Sequence, residues 1–526
     1  MNNKFRNTAY VLLGLIFLYF FFLGINLPYV GPNATNFNDY SLIAKNYNLF
    51  GFWNTKFAEI VSVTKTLPAN PQYYLHHPPL LPILEALTFR IFGYGFWVGR
   101  LTVILFSLGS IFLIYFISKK LLNKKYALIS AFVYAYIPAS TIFGKMIGQE
   151  PLVLFFSLST ILFVLRYLST KSKLDFILII TSLIFGTLSD WPMVYFSLLI
   201  SIYLFQKKEI KLSLTIFLTA FVVAALFLSY IYHFMSGFSD ISSAILIRSL
   251  GQLVGQPFWP LRWMSILLIR MLVYFNPIFV MLGFYYLFTN IFKFSKVRKE
   301  NRLLTVILIL FAFGLIHILL YPEGSFGHPY WIYYLIPFIT FSSSFVLYKL
   351  LKRNKFVFIT IILFVFLFMI PVQYWKYEQI ISNVWRYSLA KQVNLNFLTY
   401  ESIEINSGSV IDRDLIKYAF SHDVKIINNI SEINEGEYKH FLYSCTSNCL
   451  ISDKIFAYLL DNYKGTRVSN SDGEAYVFEL KTKRVTGNIE INLSNMPVNA
   501  DQKSQSGGKI GNIYRILKDL LNAPQI

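Results

Sequence analysis

The chain has 526 residues, 55% hydrophobic and 18% aromatic, with 14% charged and a net charge of +20. Water-soluble domains carry a much larger charged share, so this composition excludes an ordinary soluble enzyme and points to repeated membrane crossings. Nor does the positive charge indicate a nucleic-acid binder: from Lys376 onward 17 basic residues meet 17 acidic ones, and the excess sits in short clusters between apolar runs.

The first apolar run, "AYVLLGLIFLYFFFLGINL", follows Lys4 and Arg6. It is as long as a bilayer core is thick and lacks a small-residue cleavage pattern, so it reads as a retained anchor. Eleven spans are predicted, near residues 9–27, 97–118, 126–143, 151–168, 174–190, 192–206, 211–232, 264–290, 303–321, 331–349 and 356–374. The stretch "DFILIITSLIFGTLSDWPMVYFSLLISIYLF" is short for two crossings and divides at Asp190-Trp191-Pro192. Basic clusters such as Lys119-Lys120, Lys207-Lys208 and Lys352-Arg353 fall in alternate connections, whose only acids are Asp175, Glu209 and Glu300. Short cytoplasmic loops collect Lys and Arg. The expected fold is therefore a mainly α, polytopic membrane protein with a cytoplasmic N-terminus and an extracytoplasmic tail.

On this threading, residues 28–96 form a long first outer loop, which contains "QYYLHHPPLLPILEAL". Asp39, Glu59, Glu150, Asp190, His233, Asp240, Glu323 and His328 face the same side as His76 and His77. The inner side holds no comparable set, so chemistry is expected at the outer surface. Simpler roles exist for several of these residues. Asp39 suits the N-cap of a helix starting at Tyr40, Pro78-Pro79 suits a turn back into the membrane, and Glu150 before Pro151 suits a helix start.

After residue 375 the texture becomes charged and polar. A connector at 376–394 precedes short β-like and helical runs at 395–483, which read as a small extracytoplasmic α/β domain. Cys445 and Cys449, the only cysteines, lie within it. An oxidising exterior permits a disulfide between them, and a metal site would need two more ligands that the neighbourhood lacks. Residues 484–526 read as a flexible linker and a short amphipathic helix, "IYRILKDLLN", able to lie on the membrane.

Several outer elements together resemble the GT-C membrane glycosyltransferases, in particular the protein O-mannosyltransferase and aminoarabinose transferase branch. They are His77-Pro78-Pro79-Leu80, Gly95 with Trp97-Val98-Gly99-Arg100-Leu101, Glu150 in "GQEPLVLFF", and the later "GHPYWIYYLIP". The resemblance covers about residues 10–375 and implies a GT-C-like catalytic domain at 1–375. The implied partners are a polyprenyl-phosphate-linked sugar donor, an extracytoplasmic protein, lipid or polysaccharide acceptor and the lipid bilayer, with no nucleic acid. One departure stands out. The family opens its first loop with an Asp-Glu pair ahead of a Tyr-x-x-x-Ala helix, whereas here "TNFND" precedes "YSLIAKNY". Asp39 is then the expected general base of an inverting transfer, with Glu59 or Glu150 as the alternatives. Arg100 and Arg270, costly inside a membrane unless paired with an anion, are expected at the donor phosphate. His76, His77 and His328 are expected to donate to that phosphate, or His77 and His328 with Glu150 to hold a divalent metal ion. A transporter or lipid-sugar flippase is the alternative function. Against it stand the absence of an internal repeat and the gathering of polar groups at the outer boundary rather than the midplane.

Overall fold

The computed structural model describes residues 3–31, 34–235, 237–250, 260–291, 302–446, 453–470 and 472–483. Cys449, the 484–526 linker and the amphipathic helix lie outside them; Cys445 is disulfide-bonded.

Helix α1 (Asn3–Phe22) leads into the loop at 28–96, in which α2 (Ala34–Phe50) packs on α3 (Leu80–Phe92). Asn48 Nδ2 donates to the Ala86 carbonyl at 2.9 Å, and Arg90 Nε donates back to Asn48 Oδ1 at 2.6 Å. Because α2 begins at Ala34, Asp39 lies inside the helix and does not cap it. The chain continues through α4 (Phe96–Leu121), α5 (Lys124–Tyr136), α6 (Pro138–Ile142) and α7 (Glu150–Thr170). Next come α8 (Lys173–Thr187), α9 (Pro192–Gln206), α10 (Ile210–Met235), α11 (Ser239–Leu250), α12 (Pro260–Phe275) and α13 (Pro277–Ile291). The helical part closes with α14 (Arg302–Leu320), α15 (Pro322–Gly327), α16 (Ile336–Arg353), α17 (Lys355–Ile381) and α18 (Val384–Val393).

Six helical stretches among the described residues are long and apolar enough to cross a membrane: α4, α7, α10, α14, Pro329–Arg353 and Lys355–Asn396. Their outward faces are greasy, as at Leu218, Val222 and Leu226 of α10 and Leu363 and Leu367 of α17. Such faces are stable against lipid tails and unstable against water, so the chain is a multi-pass membrane protein. Two of the expected spans are not straight. Residues 126–143 bend by 63° where Pro138 starts α6, and 264–290 bend by 110° between α12 and α13. At the second bend Pro277 lacks an N–H and restricts its neighbour. Asn276 takes a left-handed φ of 70°, which Asn tolerates better than most residues, and accepts the Ile278 N–H on its side chain. Counting each bent pair as one span gives up to eight among the described residues. Helices α8 and α9 have 15 residues each, about 22 Å of helix against a hydrocarbon core of about 30 Å.

Close approach of the helices relies on small residues. A Cβ on Gly314 of α14 would lie 2.5 Å from the Leu335 side chain.

The C-terminal part is a five-stranded mixed sheet in the order β2-β1-β3-β5-β4. Its strands are β1 (Ser402–Asn406), β2 (Asp423–Ile427), β3 (His440–Thr446), β4 (Tyr463–Ser469) and β5 (Gly473–Lys483), with helix α19 (Lys454–Asn462) before β4. The pairs β1–β2 and β1–β3 are parallel, and β3–β5 and β4–β5 antiparallel. Residues before β2 clamp this sheet to the loop at 28–96. Lys45 Nζ donates to the Tyr418 carbonyl at 3.2 Å and to Ser421 Oγ at 2.7 Å, and Tyr418 stacks on Tyr29 at 5.5 Å.

Candidate functional site

The loop at 28–96 turns back through a short antiparallel pairing of Ile60 with Tyr73. The Tyr74 N–H donates to the Glu59 carbonyl at 2.8 Å, which carries the chain into His76-His77-Pro78-Pro79. The prolines leave two fewer backbone donors to satisfy, and the Leu80 N–H then reaches the Leu188 carbonyl at 3.1 Å. The turn between α8 and α9 completes the anchorage. Asp190 Oδ1 accepts from His77 Nδ1 and from the Trp191 N–H, both at 2.8 Å, while Trp191 Nε1 donates to the His76 carbonyl at 2.9 Å. Burial alone would raise the Asp190 pKa, but the His77 charge, the His77 hydrogen bond and the Trp191 N–H hold it below its ordinary value.

This knot forms one corner of a cavity of about 490 Å³. Its polar wall carries Asn36, Tyr40, Tyr74, His76, His77, Gln149, Glu150, Asp190, His317, His328 and Tyr330. Its other wall is apolar, made by Phe221, Ala224, Ala225 and Leu228 of α10 with Ile241, Ala244 and Ile245 of α11. On α11 the spacing 241, 244, 245, 248 marks one helical face, so the apolar stripe ends in Arg248, which also lines the cavity. The Arg248 guanidinium lies 6.0 Å from the centre of the Trp331 ring. Asn36 Nδ2 donates to the Tyr330 hydroxyl at 2.9 Å, and Gln149 Nε2 donates to the Tyr40 hydroxyl. Glu150 Oε2 is buried with no hydrogen-bond partner. Burial, then Arg248 and Arg270, pull the His328 imidazole down to about 4.

His76, His77, Glu150 and His328 thus meet in one cavity, and the other four expected residues lie elsewhere. Asp39 is absent from the lining; it lies within electrostatic reach both of Asp414, Arg413 and Lys417 in the C-terminal part and of the cavity-lining Tyr74. Burial and then Asp414 raise its carboxyl to about 7, against the opposing pull of Arg413 and Lys417. Glu59 is sealed off with both oxygens unpartnered, and burial and then Asp190 push its pKa well above the usual carboxylate range. Arg100 lines a separate, smaller cavity and donates to the Ile25 and Leu27 carbonyls at 2.7 and 2.5 Å. Arg270 donates to the Ser325 carbonyl at 2.7 Å, behind His328. As for a metal, no group of three or more His, Cys, Asp and Glu suited to hold one occurs among the described residues; His77 Nδ1 is engaged by Asp190. Asn36, Arg248 and His317 were not foreseen. The 241–248 stripe ending in an arginine was a usable signal for Arg248, and nothing local marked Asn36 or His317.

Comparison with known proteins bears on the fold and on part of the sequence. Residues 76–233 match the family described as dolichyl-phosphate-mannose-protein mannosyltransferase. No curated protein sequence matches. Among solved structures the chain is similar to ArnT from Cupriavidus metallidurans bound to undecaprenyl phosphate, at 12% identity and a TM-score of 0.60, covering 89% of this chain and 98% of that one. It is similar to the same protein in the apo state at 11% identity and a TM-score of 0.58, with 90% and 98% covered. It is also similar to the archaeal oligosaccharyltransferase AglB from Archaeoglobus fulgidus, in complex with an inhibitory peptide and a dolichol-phosphate. That likeness has 12% identity and a TM-score of 0.50, covering 94% and 75%. The family match covers 158 of the 526 residues, and the likeness to the solved structures is one of fold.

Proposed function

We propose that the protein is an integral membrane glycosyltransferase that moves a sugar from a polyprenyl-phosphate-linked donor to an acceptor on the extracytoplasmic face, with inversion at the anomeric carbon. One observation carries this reading. A single cavity joins an apolar wall on α10 and α11 to a polar wall with cations and carboxylates, which matches a ligand that is hydrocarbon at one end and sugar phosphate at the other. Neighbours of the same fold whose structures contain undecaprenyl phosphate and dolichol-phosphate add support.

The polyprenyl chain lies along the α10–α11 wall, and the phosphate lies beside Arg248, His77 and His328. As the bond from the anomeric carbon to the phosphate oxygen breaks, the leaving phosphate gains charge, and these preorganised donors stabilise it. Asp190 orients His77 for this task through the Nδ1 bond. The attacking hydroxyl or amine must lose its proton. Glu150 lines the cavity with a free oxygen, so we assign it as the base. Asp39, at the junction with the C-terminal part, and the enclosed Glu59 are assigned supporting electrostatic roles. The distribution of basic residues supports a cytoplasmic N-terminus and an extracytoplasmic C-terminal domain.

The test is release of polyprenyl phosphate from a panel of polyprenyl-phosphate sugars by the full-length protein in nanodiscs, with envelope extract as acceptor. Wild type is expected to release it, Glu150→Gln to lose about 10²–10⁴-fold of the rate, and Asp39→Asn to lose less than tenfold. No release from any donor overturns the function. A fall with Asp39→Asn and none with Glu150→Gln overturns the assignment of the base.

A further inference from the structure

A second cavity, of about 60 Å³, lies among the outer end of α1, the start of α4, the Phe143–Met146 segment and α17. It shares no lining residue with the larger one. Phe143 lines it and packs its other side on Tyr330 of the larger cavity, at 6.4 Å between ring centres. Three cations from separate parts of the chain converge here: Arg100, Lys145 and Lys376. No acid among the described residues lines the space. The charged groups that act on Lys145 and Lys376 are themselves cations, Arg100 and Arg270.

The donors of these three are only partly used. Lys145 Nζ donates to the carbonyls of Phe20 at 3.0 Å and Leu23 at 2.8 Å, and Lys376 Nζ donates to Gln379 Oε1 at 2.9 Å. An ammonium has three donors, so one remains on Lys145 and two on Lys376. Arg100 keeps Nε and Nη2 beyond the carbonyls that Nη1 serves. Like charges drawn together out of water repel and have lost their hydration, and such an arrangement is stable when an anion answers it. The volume is several times the ~10–15 Å³ that one buried water needs, room for a small oxyanion. A tetrahedral oxyanion accepts from several directions at once, which suits donors arriving from three elements.

We propose that this cavity is an anion site that takes a phosphate group, since Arg100, Lys145 and Lys376 converge on one cavity that no acid among the described residues lines. Its source is either a lipid phosphate headgroup or free phosphate. The inference stands apart from the transferase reading, because it needs neither the larger cavity nor any transfer.

The experiment counts phosphate binding to the full-length protein in nanodiscs, with a polyprenyl phosphate and, separately, inorganic phosphate as probes. Lys145→Met and Lys376→Met remove one charge at similar side-chain length, and the corresponding Lys→Arg variants keep it. A site whose affinity falls at least tenfold in both Met variants and survives in the Arg variants is the expected result. Saturation of that site by inorganic phosphate identifies free phosphate as the ligand, and saturation by the polyprenyl phosphate alone identifies a headgroup. Binding of both probes unchanged in Lys145→Met and Lys376→Met overturns the proposal. So does loss of all lipid-phosphate binding in a Met variant that keeps the wild-type Tm, because the two cavities would then be one site.

Discussion

At the scale of residues, the pair His77–Asp190 carries most of the chemistry assigned to the first loop. A neutral imidazole offers one donor and one acceptor, and a carboxylate 2.8 Å from Nδ1 fixes the donor there unless the ring is doubly protonated. Asp190→Asn keeps the shape and removes the charge that steadies a cationic His77. Because leaving-group stabilisation acts in the transition state, the expected loss is in kcat, about 10–10³-fold, with the KM for the lipid donor changed less than threefold. Steady-state kinetics over a donor series checks this, and a loss confined to KM would make His77 a ground-state binder instead. His77 and Glu150 were legible in the sequence because each sits beside prolines at a membrane boundary, where a polar side chain is conspicuous. The acids were harder to place. Asp39 and Glu150 both lie early in a helix, and what separates them is that Glu150 lines the cavity while Asp39 lies between Tyr74 on one side and Arg413 and Lys417 on the other. That placement depends on residues more than 370 positions away.

At the scale of elements, hydropathy located the apolar runs well and saw none of their bends, because a window average does not register a turn. The 110° break at Asn276-Pro277 leaves both halves as greasy as a straight span. The short element α15 shows what such local geometry controls. A Cβ on Gly324 would lie 2.2 Å from the Trp331 ring, and Trp331 lines the cavity beside Arg248. Gly324→Ala must therefore move the indole. Overpacking of this kind costs about 1–3 kcal/mol, and a displaced ring intrudes on the donor site. The expected outcome is a lower Tm with donor KM raised several-fold, while Gly327→Ala, where a Cβ meets nothing within 4 Å, leaves both unchanged. Thermal unfolding in detergent and donor titration measure the two effects.

At the scale of the whole molecule, the membrane part and the C-terminal sheet meet on α2. Ser41 donates to the buried Glu85 of α3, Lys45 holds the Tyr418 carbonyl and Ser421, and Asp39 faces Asp414, Arg413 and Lys417. The sequence showed that a second domain exists through its change of texture, but not where it docks, since a charged surface looks the same whether it faces water or another domain. The junction makes stability depend on pH with a definite sign. Burial raises Asp39 to about 7 in the folded protein, against about 3.9 unfolded. The folded state therefore binds more protons across that interval, and stability falls as pH rises from about 4 to about 7. Asp39→Asn cannot ionise, so the expected result is a loss of that slope, with its Tm advantage over wild type largest at pH 8 and absent at pH 4. Tyr418→Ser removes the ring stacked on Tyr29 and loosens the same junction at every pH. Hydrogen exchange in α2 should rise in Tyr418→Ser at both pH 6 and pH 8, and in wild type at pH 8 relative to pH 6 after correction for intrinsic rates. If exchange in α2 is indifferent to both the substitution and the pH, the sheet domain does not brace the outer loop, and its contact with the membrane part contributes little to holding the cavity in shape.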